Sequence, residues 1–148
     1  MKKKLHLTLL LSCAITLAGC NENTESEEMN GSQDTELVNI VWMLQSIEVP
    51  GATTIEIDSE KVFSIQFFED NQFSGMAACN SYYGTYTISN TDSLNIVPIG
   101  ITYVGCGHTL DQEYFYILHF INSHKINNNM LRLYYGEYNS ALNYIKGI

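Results

Sequence analysis

The sequence predicts an α+β domain that is mostly β: an antiparallel meander sheet against a single amphipathic helix. Three observations carry this. From residue 37 onward, short β-branched and aromatic runs alternate with period two. The links Glu69-Asp70-Asn71, Ser89-Asn90-Thr91-Asp92 and Asn127-Asn128-Asn129 are built from residues that tolerate turn and left-handed backbone, at hairpin spacing. One stretch, 111–122, repeats its apolar residues at helical spacing instead.

In order, strands are expected at 38–47, 63–68, 72–77, 84–88, 94–96 and 101–103. Trp42 in the first of these is the obvious large core residue. Residues 53–59 carry too little pattern for an assignment. The helix at 111–122 follows from Tyr114, Ile117, Leu118 and Ile121, with Thr109 and Gln112 in the form of a capping box. A lone amphipathic helix beside an antiparallel sheet has only one face, or one open end, against which to bury its stripe. Strands at 125–126, 130–135 and 141–145 complete the set. Pro50 and Pro98, lacking an N–H, belong at strand ends or in loops. Gly75 and Gly84 read as bulges or tight bends, because no glycine-rich run opens a helix to cradle phosphate.

The first 36 residues have a different composition. Lys2, Lys3 and Lys4 precede an apolar run at 5–17 that is too short to span a bilayer but suits a secretory signal. It ends in Leu17-Ala18-Gly19-Cys20, which resembles a bacterial lipobox, so residues 1–19 are expected to be a lipoprotein signal peptide and Cys20 the lipid attachment site. Two or three acyl chains, at about 0.8 kcal/mol per buried methylene, suffice for stable membrane residence. Residues 20–36 are expected to be the lipidated cysteine and a flexible acidic tether, too polar to fold alone. The third unit, 37–148, is long enough for one core. Asn21, where Asp would be the retention signal known from some Gram-negative lipoproteins, resembles an outer-membrane address. The expected location is thus the cell envelope, lipid-anchored at the outer membrane, on its periplasmic or surface face.

The chain has 7 basic and 16 acidic residues. Loss of the signal removes three lysines, leaving four basic against sixteen acidic groups and a net charge of −12. Nucleic acid is an unsuitable partner for such a chain, and anionic headgroups would repel the domain. Of four cysteines, Cys13 leaves with the signal and Cys20 is lipidated. Cys79 and Cys106 remain. In an oxidising compartment they most simply pair, which contributes roughly 3 kcal/mol in the chain-entropy model; the alternative is two reduced, buried thiols.

Several of these residues together resemble a known family. Trp42 with Leu44, Phe63, Phe67, Phe73-x-Gly75, Cys79-Asn80-x-Tyr82-x-Gly84-x-Tyr86, Thr102-x-x-x-Cys106, Glu113, Leu118, Leu131-x-Leu133 and Leu142 are similar to the META domain (HslJ-like, DUF306) pattern. This chain has Ala78 where the family usually has Gly, and Val104-Gly105 before the second cysteine where it usually has an apolar-small pair. The resemblance implies a small antiparallel sheet curled, half-barrel-like, around one helix, often behind a lipobox, in proteins linked to heat shock, antibiotic tolerance or virulence. It brings no catalytic residues.

The residues themselves suggest none either. Serines lack a Gly-x-Ser-x-Gly elbow, and Cys79, Cys106, His108, His119 and His124 match no zinc spacing, so no metal or cofactor is expected. Asn80 reads as a turn-fixing residue and His119 and His124 as surface or half-buried. Tyrosines 82, 83, 86, 103, 134, 135, 138 and 144 are too many to be all inside; either alternate members pack the core, or an outward set touches apolar or sugar surfaces. The expected function is a non-catalytic binding or structural module with an unknown envelope partner. The other reading is a carrier holding an acyl chain or another apolar ligand between sheet and helix.

Overall fold

The computed structural model describes residues 35–90, 92–105, 110–137 and 140–148. Its strands are β1 (Val41–Glu48), β2 (Ile55–Glu56), β3 (Phe63–Phe67), β4 (Gln72–Ala77), β5 (Asn80–Ile88), β6 (Leu94–Ile101), β7 (Ile121–Asn127), β8 (Met130–Tyr135) and β9 (Ser140–Lys146); the helix is α1 (Leu110–Leu118). They form one antiparallel sheet in the order β6-β5-β4-β3-β1-β9-β8-β7, with β2 paired to β1 off this path. The protein is therefore mostly β with one helix, as the alternation and hairpin signals predict, and its sheet curls into the half-barrel that the family resemblance implies.

Two meanders meet at β1. One runs β3 to β6 and the other β7 to β9; α1 carries the chain from one outer strand to the other, and β9 returns to β1. Curling brings the two outer strands back toward each other. Ser93 bridges Ser123, and the His124 N–H donates to the Asp92 carbonyl at 2.9 Å. Inward residues alternate along each strand, and Trp42, Phe63, Phe67, Phe73, Tyr82, Tyr86 and Tyr144 line the interior, each at most 1 % exposed. Where the chain enters the domain, the Trp42 indole donates to the Leu37 carbonyl at 3.1 Å.

The turns use the expected residues. Asn71 and Asn128 have φ of 61° and 57°, the left-handed conformation asparagine tolerates best after glycine.

Several boundaries differ from the sequence reading, each for a local reason. β5 starts at Asn80, not at 84, because the hairpin loop is only Ala78-Cys79 and the next residues already pair, Asn80 with Ala77. β6 is one strand where two were expected, and Pro98 lies inside it. A bulge absorbs the proline: Tyr83 faces Gly100 while Gly84 faces Pro98, so Ile99 is the extra residue. Gly84 leaves room there, since a Cβ on it would stand 2.3 Å from the Val97 carbonyl oxygen. The helix ends at Leu118, not at 122, and Ile121 opens β7, which runs well beyond the expected 125–126. Ile121 is buried in either reading; pairing with Tyr135 decides for the strand. His124 consequently lies inside the sheet, 3 % exposed, and not at the surface. The short β2 arises in the stretch without pattern by pairing with the end of β1.

Candidate functional site

The sequence signature around Cys79 folds into a clamp. Ala77 pairs with Asn80, so Ala78-Cys79 is a two-residue hairpin loop, and Ala78 has φ of 51°. Positive φ at the first loop residue alone is the type II′ arrangement, which favours glycine there. Cys79 is disulfide-bonded, and its Sγ lies 3.6 Å from the Val104 carbonyl oxygen. Cys106 lies outside the described residues, as do Cys20, His108 and the Thr109 half of the capping box.

Asn80 is 6 % exposed, contacts Cys79 Sγ in its own turn at 3.8 Å, and mainly fixes a neighbouring segment. Its Oδ1 accepts from the Val104 N–H at 2.6 Å and the Thr102 hydroxyl at 3.3 Å, and its Nδ2 donates to Asp111 Oδ2 at 3.2 Å. Thr102 closes the clamp: its Oγ1 also accepts the Ser81 N–H at 3.0 Å, and its own N–H donates to the Ser81 carbonyl at 2.9 Å. Asp111, a role sequence reading missed, sits in the first turn of α1, where a carboxylate favours the helix dipole. Turn, strap and helix start are thereby one unit.

Behind the clamp runs a chain of buried phenols. Tyr82 donates to the Ser64 carbonyl at 2.6 Å, which leaves its oxygen to accept from Tyr114 at 2.8 Å; Tyr114 in turn accepts from Tyr144 at 2.9 Å. Gly75 makes the first link possible, because a Cβ there would stand 2.1 Å from the Ser64 oxygen and 2.4 Å from the Tyr82 hydroxyl. It marks a close approach, not a bulge. Burial pushes the Tyr114 phenol up to about 12, and Tyr82 and Tyr144 well above their usual range for the same reason, so all three stay neutral at physiological pH. Rings fill the space around them: Phe63 and Tyr82 stand edge-on to Tyr114 at 5.2 and 5.7 Å between centroids.

The outer surface has two distinct regions. On β7 and β8, Lys125, Asn127, Met130, Arg132 and Tyr134 line a shallow groove of about 220 Å³, continuous through Lys125 and Tyr134 with another of about 280 Å³ that reaches Asp92, Ser123 and His124. Arg132 there pairs with Glu48 at 2.7 Å and lies over the Tyr134 ring. The other region, on β4 to β6, is uncharged. Of the eight tyrosines singled out in the sequence, 82, 86 and 144 are buried, 83 and 103 are exposed, 134 and 135 are intermediate, and 138 lies outside the described residues. Among the described residues, no three metal-ligating side chains gather.

The sequence profile of the META domain matches residues 35–145. The chain belongs to the META domain family. Solved structures resemble its fold: a protein from Burkholderia xenovorans, 17% identical, with a TM-score of 0.64 over 76% of this chain and 84% of that one, and a DUF4847 family protein from Bacteroides vulgatus, 13% identical, with a TM-score of 0.55 over 74% and 93%. No curated protein matches. In this META domain the signature residues have concrete tasks: Cys79, Asn80 and Thr102 build the clamp, and Gly75, Tyr82 and Gly84 set the close packing of β3 to β6. Tyr114 and Tyr144, which complete the phenol chain, carry no motif; only their helical and strand spacing placed them inside.

Proposed function

We propose that this META domain protein is a non-catalytic binding module of the cell envelope, anchored to the outer membrane by lipid on Cys20 and spaced from it by residues 21–36. The observation that carries the non-catalytic reading is where the signature's polar groups go. Asn80, Thr102 and Tyr82 direct their hydrogen bonds to backbone, to one another and to Asp111 and Tyr114, an arrangement that holds a fold and aims nothing at a substrate. The family adds a process, envelope stress or antibiotic tolerance. The carrier reading is less well supported, since the space between α1 and the sheet is where Phe63, Tyr82 and Tyr114 meet.

Mass spectrometry of the protein from native membranes tests the anchor. A diacylglyceryl adduct on an N-terminal Cys20 is expected, and Cys20→Ala should shift the protein from the membrane to the soluble fraction. An unmodified Cys20 in membrane-bound protein would end this reading.

A further inference from the structure

We infer that the outer face of β4 to β6 is a stacking platform for an uncharged pyranose chain, with Tyr83 as its anchor. This rests on the binding reading above and names the ligand class. Tyr83 is 56 % exposed, and its ring lies close to the backbone of Gly100. A Cβ built on Gly100, its cross-strand partner, would lie 2.9, 3.0 and 3.0 Å from Tyr83 Cε1, Cζ and Oη. Near-equal distances to three adjacent atoms put that point above the ring plane, not in line with its edge. The hydroxyl-bearing edge of the phenol therefore lies over the glycine on one side, and more than half of the residue stays open to solvent, where a sugar ring can stack.

The surroundings select the ligand's charge. From Gln72 to Gly105, the one Asp, Glu, Lys or Arg is Asp92, in a chain that carries 23 such residues. The residues sharing the outer face with Tyr83 are instead neutral, hydroxyl, amide or apolar: Ser74 opposite it on β4, Thr85 two residues on with Gln72 and Val97 opposite it, and Asn95 opposite Thr87. Hydroxyls beside a flat exposed ring match a neutral glycan, with its C–H face and hydroxyl rim. An ionised polymer would find no counter-charge on the strands themselves, the carboxylate beside them being Asp70 in the turn next to Gln72.

The test is titration of the full-length protein in detergent with chitohexaose and cellohexaose to about 10 mM, beyond the concentration where a millimolar Kd would show. Saturable binding of at least one is expected, with amide shifts confined to residues around Tyr83 and Gly100. Tyr83→Ala should weaken it tenfold or more with the melting temperature within a few degrees of the parent. Gly100→Ala, which keeps the phenol but lifts its inner face, should weaken it too. No binding of either sugar, or binding that Tyr83→Ala leaves intact, overturns the inference. If a protein partner is captured from native membranes and sugars fail, the glycan assignment falls while the binding reading stands.

Discussion

Ala78 holds a backbone conformation, φ of 51°, in which its Cβ crowds the following carbonyl at a cost of about 1–2 kcal/mol. Glycine would remove that cost and restore roughly 0.5–1 kcal/mol of unfolded-state entropy. Ala78→Gly should therefore raise the unfolding free energy by roughly 0.5–1 kcal/mol in denaturant titration, and a loss of stability would show that the turn is not strained. Gly75 predicts the opposite sign. A methyl there meets a backbone carbonyl that cannot move without the β3–β4 pairing, so Gly75→Ala should cost about 2–3 kcal/mol and break the Tyr82 to Ser64 bond. An unchanged denaturation midpoint would count against it. The sequence offered Gly75 as a bulge or tight bend and Ala78 only as a departure from the family's usual glycine; a lone strand glycine cannot reveal which side chain, from a strand one hairpin later, needs the space.

α1 is held at its first turn and at its middle. Asp111 meets Asn80, and the Tyr114 hydroxyl stands between Tyr82 and Tyr144. Tyr114→Phe keeps the packing but deprives Tyr82 and Tyr144 of their shared partner, which should cost about 2 kcal/mol. Hydrogen exchange gives the more specific readout: amides of 110–118 should lose protection before those of β1 and β9, and uniform loss across the sheet would contradict the local role. The helix's existence and apolar face are legible in its 3.6-residue spacing. Its C-terminal end is not, because Ile121 satisfies the helical stripe and the β7 pattern equally; the contest is won by ladder hydrogen bonds to β8, which lie far along the chain.

At the scale of the whole molecule, the phenol chain makes stability depend on alkaline pH. Unfolded tyrosines ionise near 10, whereas burial holds Tyr114 at about 12 and raises Tyr82 and Tyr144 well above 10. The folded state thus keeps protons that the unfolded state releases. Its advantage is complete below about pH 10 and falls as pH rises from there through about 12. Denaturation midpoints should be flat from about pH 8 to 9 and decline steeply above 10, with phenolate absorbance of the buried set appearing only on unfolding. Free ionisation of all ten tyrosines near pH 10 without loss of fold would refute this.

The sequence by itself determined the mostly-β class of fold, the hairpin turns, the single helix with its apolar stripe and Trp42 as a core residue, because period-two and period-3.6 patterns and left-handed turn residues are local properties of the chain. It also marked the signature from Phe73 to Tyr86. Tertiary structure alone decided that β1 joins two meanders, that Pro98 fits a bulge opposite Gly84, that Asn80 clamps a strap more than twenty residues away, and that Tyr83 lies over Gly100. Each of these depends on which distant backbones come within a few ångströms, and spacing along one chain does not encode that.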